Sequence, residues 1–234
     1  MGSHPASRRY SAGMMESATD RLAAVNAEIA KACKIARREP DEVTLVAVSK
    51  THPAGEIAPL IEAGQRVFGE NRVQEAQEKW PALRERYGDV SLHLVGQLQS
   101  NKAEDAAALF DCIHSLDRPS LVKALAKAFD KTGRQVPCFV QVNIGAEEQK
   151  GGCAIPDLPA LIGQARDAGI PLAGLMSVPP HGIEPAPYFA LMAKLADDHG
   201  LDGRSMGMSG DFPTAIMLGA THIRVGTALF GSRE

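Results

Sequence analysis

Eight short apolar runs recur along the sequence at intervals of roughly 20 to 35 residues, and helical periodicity fills the gaps between them. The runs are Val43 to Ser49, Arg66 to Gly69, Ser91 to Val95, Asp111 to Ser115, Val136 to Asn143, Pro171 to Met176, Ser205 to Met208 and His222 to Val225. Near-continuous apolar stretches of this length read as strands covered on both faces, as in parallel sheets. Between them, Asn71, Ser100 and Asp117 are placed to cap helices, and Gly64, Gly133, Gly200 and Gly219 to stop them. Val73, Ala76, Trp80 and Leu83 form one helical face, and Leu121, Leu125 and Phe129 another. Pro59 interrupts the first of these helices, over residues 54–63. Eight such units in 234 residues predict an α/β fold, a single (β/α)8 TIM barrel. An open doubly wound sheet usually has fewer strands and a glycine fingerprint after the first. Here Lys50-Thr51-His52-Pro53 follows that strand, with no GxGxxG.

An extra N-terminal helix precedes the barrel. Ser17 and Asp20 can form a capping box, and Leu22, Val25, Ile29, Cys33 and Ala36 follow at helical steps to an end near Arg38, before Pro40. Residues 1–16 have no apolar core and are expected to be a flexible tail, in part not native, ahead of one domain over 17–234. Arg8-Arg9 is not followed by the hydrophobic stretch of an export signal, and no apolar segment approaches the ~20 residues of a membrane span. Twenty-five basic and 28 acidic residues are interspersed, with a net charge of −3, which leaves no electrostatic footprint for nucleic acid. Cys33, Cys112, Cys138 and Cys153 form no CxxC pair, so reduced thiols in a cytoplasmic protein are expected, with Cys112 and Cys138 in the core.

In such a barrel the ligand lies at the C-terminal strand ends. Lys50 ends the first strand, where burial would free its lone pair to attack a carbonyl. Lys102, in the first turn of a helix, and Lys150, in a loop, are exposed competitors. Met208-Ser209-Gly210 offers backbone amides and a hydroxyl after the seventh strand, and Gly226-Thr227 after the eighth, where barrels most often hold a phosphate. A plain N-cap at Ser209 and a plain turn at Gly226 are the alternatives. A phosphate cradle facing a strand-end lysine suggests a phosphorylated aldehyde or ketone held as a Schiff base. Arg224 shares the inner face of the eighth strand. Its guanidinium can only donate, so opposite a pyridine nitrogen it would keep that nitrogen unprotonated; a strand-end salt bridge is the competing reading. His93 and His114 read as hydrogen-bonded core residues without metal-ligand spacing, and the polar segment GQLQSNK, from Gly96 to Lys102, either lines the mouth or merely caps a helix.

The ordered motifs VAVSKTH, VFGENRVQEA, HLVGQLQSNK, QVNIG, GLMSVPP, SMGMSGDF and RVGTALFGSR resemble the pyridoxal phosphate homeostasis protein family, also called proline synthase co-transcribed homologues. The resemblance runs from the N-terminal helix to the C-terminus. It implies a barrel like the N-terminal domain of alanine racemase, with pyridoxal 5′-phosphate bound covalently. Lys50 is then the Schiff-base lysine, and Asn71 lies beside the cofactor ring. Ser209, Gly226 and Thr227 hold the phosphate, and Arg224 partners the pyridine nitrogen. Leu92 and Leu94 stand where the family more often has aromatics, and Gly210 and Pro213 vary the phosphate loop. A carrier active in vitamin B6 and amino-acid homeostasis is expected, without catalytic residues or metal. It is expected to be monomeric and to serve apo pyridoxal phosphate enzymes as recipients. The alternative is an amino-acid racemase or decarboxylase; a Schiff-base aldolase of a sugar phosphate is a third reading. Racemases of this barrel type add a β-rich domain carrying a tyrosine acid/base. The nine residues after the eighth strand leave no room for one, and Tyr10, Tyr87 and Tyr188 lie away from the strand ends.

Overall fold

The computed structural model describes residues 16–231, so the expected tail lies outside it except for Glu16. Eight parallel strands close into a barrel in sequence order: β1 (Thr44–Val48), β2 (Val67–Glu70), β3 (Ser91–Leu94), β4 (Cys112–Leu116), β5 (Cys138–Val142), β6 (Leu172–Ser177), β7 (Gly203–Met208) and β8 (His222–Val225). The last strand seals against the first, with Thr44 opposite His222 and Ala47 opposite Val225. Closure therefore brings the segment after Val225 beside Lys50.

The outer layer runs α1 (Ala18–Ala36), α2 (Ala54–Glu62), α3 (Val73–Tyr87), α4 (Ala103–Leu109), α5 (Pro119–Thr132), α6 (Leu158–Asp167), α7 (Ala186–Asp198), α8 (Phe212–Met217) and α9 (Thr227–Phe230). The capping box of α1 is present: Asp20 N–H donates to Ser17 Oγ, and Ser17 N–H to Asp20 Oδ2, each at 3.1 Å. Leu22, Val25 and Ile29 bury one stripe of α1, which packs on α8 and α9. Each buried side chain is worth about 1.5–3 kcal/mol. Arg38 pins the helix exit by donating to the carbonyls of Ile216 at 3.0 Å and Ala220 at 2.8 Å.

Strand side chains alternate between two environments. Leu45, Ala47 and Phe68 face the helices as part of the main core, whereas Cys112, Phe139 and Met176 form a small separate cluster in the barrel interior. That interior is not wholly apolar, for His93, His114 and His222 share it. All four cysteines are buried and unpaired, as expected. Among the described residues no helix is long and apolar enough to cross a membrane.

Several local expectations need correction. Arg72, not Asn71, occupies the cap position of α3. Arg118, not Asp117, precedes α5, because Pro119 fixes the first helical φ and moves the start one residue on. Ser100 opens a 3₁₀ turn, and α4 begins only at Ala103. Pro59 does not break α2, which continues to Glu62 with Ile57, Leu60 and Ile61 buried. The four-residue α9 had no sequence signal; it is too short to show a period.

Candidate cofactor site

All six residues singled out in the sequence, Lys50, Asn71, Ser209, Arg224, Gly226 and Thr227, line one cavity of about 510 Å³ at the C-terminal mouth of the barrel. Lys50 continues the inward-facing parity of Val46 and Val48. Its amine has no hydrogen-bond or carboxylate partner among the described residues, and the competitors are engaged elsewhere. Lys102 lies 3.3 Å from Asp105 and lines a neighbouring cavity. Lys150 lies 2.6 Å from Glu147 and donates to Pro179 O at 3.0 Å.

The turn bearing Lys50 is held from outside the barrel. Thr51 adopts a left-handed φ of 66°, a conformation that costs a residue with a Cβ about 1–3 kcal/mol. Lys79 Nζ donates to the carbonyls of Ser49 at 2.9 Å and His52 at 3.1 Å, bracketing the turn. Glu75 accepts from the Thr51 amide and from Lys79. Burial works to raise the pKa of Glu75, but these hydrogen bonds together with the charges of Lys79 and Arg72 outweigh it and hold the carboxyl below its ordinary range. Behind them Glu70, fully buried, accepts from Ser49 Oγ at 2.5 Å and Trp80 Nε1 at 3.0 Å and pairs with Lys79 at 2.8 Å.

Across the mouth, β7 gains one residue on β8 between Ser205 and Met208. Gly207 absorbs this bulge at φ 94°, where an added Cβ would lie 2.6 Å from Ala215 Cβ. The bulge carries Ser209 to the loop after β8, where its Oγ accepts from Gly226 N–H at 3.3 Å. Ser209 is therefore not the cap of α8. Asp211 takes that position, and its Oδ1 accepts from Met208 N–H at 2.6 Å. At Gly226, with φ −116°, a Cβ would meet nothing nearer than Val48 O at 3.4 Å. The protein's own packing leaves this position open, and the bare backbone faces the cavity.

Arg224 is 6% exposed, and each of its terminal nitrogens donates once, Nη1 to Ser205 Oγ at 2.6 Å and Nη2 to Ser177 O at 2.9 Å. Among the described residues it has no salt bridge, so the competing reading of a strand-end ion pair fails. Burial lowers its pKa to about 10, with Asp211 opposing the shift, and the group stays charged at neutral pH. Asn71 is set by its neighbour: a Cβ on Gly96 would fall 2.2 Å from Asn71 O, so only glycine lets these two loops meet.

His52, to which the sequence assigned no role, is also a wall of the cavity. Its ring stacks on Phe230 at 4.4 Å, and Nδ1 lies 2.6 Å from Glu56 Oε2. The partner Phe230 is on α9, so no local pattern announced the pair. His93 and His114 are bonded to each other at 3.0 Å, as expected of core residues. The fold also brings Cys112 to them, with ligand atoms within 4.8 Å, a grouping without sequence spacing.

A profile of the alanine racemase N-terminal domain family matches residues 21–234. The pyridoxal phosphate homeostasis protein of Pseudomonas aeruginosa is 39% identical over 226 residues, spanning 94% of this chain and 97% of that one. The chain belongs to the pyridoxal phosphate homeostasis protein family. The family member from Aquifex aeolicus is 37% identical, spanning 93% of this chain and 99% of its own. PipY of Synechococcus elongatus, solved with pyridoxal phosphate bound, superposes with a TM-score of 0.81 at 38% identity, covering 92% of this chain and 100% of that one. An alanine racemase of Clostridium difficile, 15% identical with a TM-score of 0.64 and 56% of its length covered, shares the fold.

Proposed function

We propose that this chain binds pyridoxal 5′-phosphate in the mouth cavity and acts as a carrier in vitamin B6 and amino-acid homeostasis, not as a catalyst. One observation carries this: a guanidinium and a lysine amine line the same cavity, the first buried without a carboxylate partner and the second unpartnered among the described residues. Such a pair favours a ligand with an electrophilic carbon at one end and an acceptor at the other. The names of the relatives and the bound form of PipY support the same ligand.

The donor set fits the group. When bound, pyridoxal phosphate supplies an aldehyde that condenses with a primary amine and a ring that can withdraw electrons. Lys50 would hold the aldehyde carbon, on a turn fixed by Lys79 and Glu75. Asn71 would orient the ring. The hydroxyls of Ser209 and Thr227 would donate to the phosphate, in the space that the missing side chain of Gly226 leaves open. Arg224 would donate to the ring nitrogen without giving up its own proton, which keeps that nitrogen neutral.

The same arrangement disfavours carbanion chemistry, which needs a protonated ring and an acid/base facing the lysine. Apart from Lys50 and Arg224, His52 is the one titratable side chain lining the cavity among the described residues. It sits on the loop that carries Lys50 and is tied to Glu56. Tyr87 lies outside the barrel, donating to Glu62 at 2.7 Å.

Titration with pyridoxal phosphate should generate a visible absorbance band that Lys50→Ala abolishes; a wild-type chain that stays colourless would refute cofactor binding. Sustained racemisation or decarboxylation of amino acids would refute the carrier role. In this reading the chain is a monomer in size-exclusion chromatography, and the loaded form reactivates an apo pyridoxal phosphate enzyme mixed with it.

A further inference from the structure

Arg224 is one end of a hydrogen-bonded chain that crosses the barrel interior. Its Nη1 donates to Ser205 Oγ at 2.6 Å. Ser205 Oγ lies 2.8 Å from His114 Nδ1, and His114 Nε2 lies 3.0 Å from His93 Nδ1. The path runs from β8 to β7, over to β4 and on to β3. Ser205 and His114 are fully buried, and His93 is 7% exposed.

The direction of every proton in this chain follows from its first member. A guanidinium has no acceptor, so Ser205 must receive the hydrogen bond from Arg224. Among the described residues, the only other partner of the Ser205 hydroxyl is His114 Nδ1. For the buried O–H to be satisfied, it donates there. His114 then carries its proton on Nε2 and donates to His93 Nδ1, which leaves the His93 proton on Nε2. Both rings must be neutral for this, and burial ensures it, pushing His93 down to about 3 and His114 well below its ordinary value. A protonated His114 would aim a second donor at Ser205. The His93–His114 bond also occupies the two nitrogens that face each other, so the histidines serve this chain.

We propose that Ser205 and His114 are positioning residues for Arg224, forming a one-way hydrogen-bond chain that locks the guanidinium with its remaining donors toward the ring nitrogen of the cofactor. The Ser177 carbonyl, 2.9 Å from Nη2, completes the lock, so one rotamer of a side chain with many is selected. This rests on the cofactor reading above, but the lock itself exists without cofactor.

Three variants test it. Ser205→Ala removes the hydroxyl with little change of volume. His114→Leu removes the acceptor, and His114→Asn returns one near the Nδ1 position. In the cofactor-free protein, ¹⁵N NMR should show His114 as the Nε2–H tautomer and slow rotation of the Arg224 guanidinium. Ser205→Ala and His114→Leu should both abolish the slow rotation, and His114→Asn should retain it. In the loaded protein, the first two should release cofactor about tenfold faster and shift its absorbance maximum, while the Asn variant stays near wild type. An Nδ1–H tautomer, or a guanidinium equally rigid in Ser205→Ala, overturns the lock whether or not cofactor binds. A wild type that shows the lock but never a Lys50-dependent band leaves the lock standing and refutes its cofactor role.

Discussion

Lys79 donates to the carbonyl of Ser49 at 2.9 Å, so a lysine on α3 holds the backbone from which the cavity lysine projects. Lys79 is 10% exposed, and its partner Glu70 is fully buried. Replacing Lys79 by Met strands the Glu70 carboxylate, whose Oε2 already lacks a partner. A loss of about 3 kcal/mol is expected in urea unfolding. Adding Glu70→Gln should recover a large part of it. The double variant should still attach pyridoxal phosphate more slowly than wild type, since Thr51 has lost its bracket. Recovery of stability together with a wild-type attachment rate would separate Lys79 from the Lys50 turn.

The buried histidines make stability depend on pH. Burial pushes His93 to about 3 and His222 to about 4, and holds His114 well below its ordinary value. The unfolded chain titrates these groups near 6.5, so between about 6.5 and 4 it binds more protons than the folded chain. Stability is therefore complete above that range and falls as pH drops, by about 1 kcal/mol per pH unit for each histidine. Urea midpoints at pH 7.5, 6 and 5 should decline along this line. His222→Met should flatten the slope by about a third, and an unchanged slope would show that other groups dominate acid unfolding.

What the sequence made legible was whatever neighbours in the chain declare. The strand runs, the Ser17–Asp20 box and the six cavity residues each sit at a strand end or helix start, where residue type and position act together. Asn71 and Asp117 were misread as caps because a capping-type residue before a helix is only permissive; Arg72 and Pro119 settle where the helices start. The Arg224–Ser205–His114–His93 chain was invisible, since His114 and Ser205 are 91 residues apart and meet only through barrel closure. His52 on Phe230 and Lys79 under Ser49 are hidden for the same reason.

Gly207 connects fold stability to the site. Ala at this position must adopt φ 94° and press a Cβ to 2.6 Å from Ala215 Cβ. Strain and overpacking together should cost about 2–4 kcal/mol. Because the bulge also delivers Ser209 to Gly226, the surviving folded protein should bind pyridoxal phosphate more weakly in equilibrium titrations. A stable variant with wild-type affinity would mean that the bulge is not what places Ser209.

Gly226 makes the opposite test, a glycine whose loss should spare the fold and weaken the ligand. Its φ of −116° suits any residue, and a Cβ would stand 3.4 Å from Val48 O, an ordinary contact. Gly226→Ala should therefore change unfolding free energy by less than about 1 kcal/mol. The added methyl narrows the approach to the backbone beside Ser209 and Thr227, so affinity for pyridoxal phosphate should fall about tenfold, the loss of one charge-assisted contact. Pyridoxal, which lacks the phosphate, should lose almost nothing in the same variant. Equal losses for both ligands would place the methyl against the ring instead, and would move the phosphate away from the loops after β7 and β8.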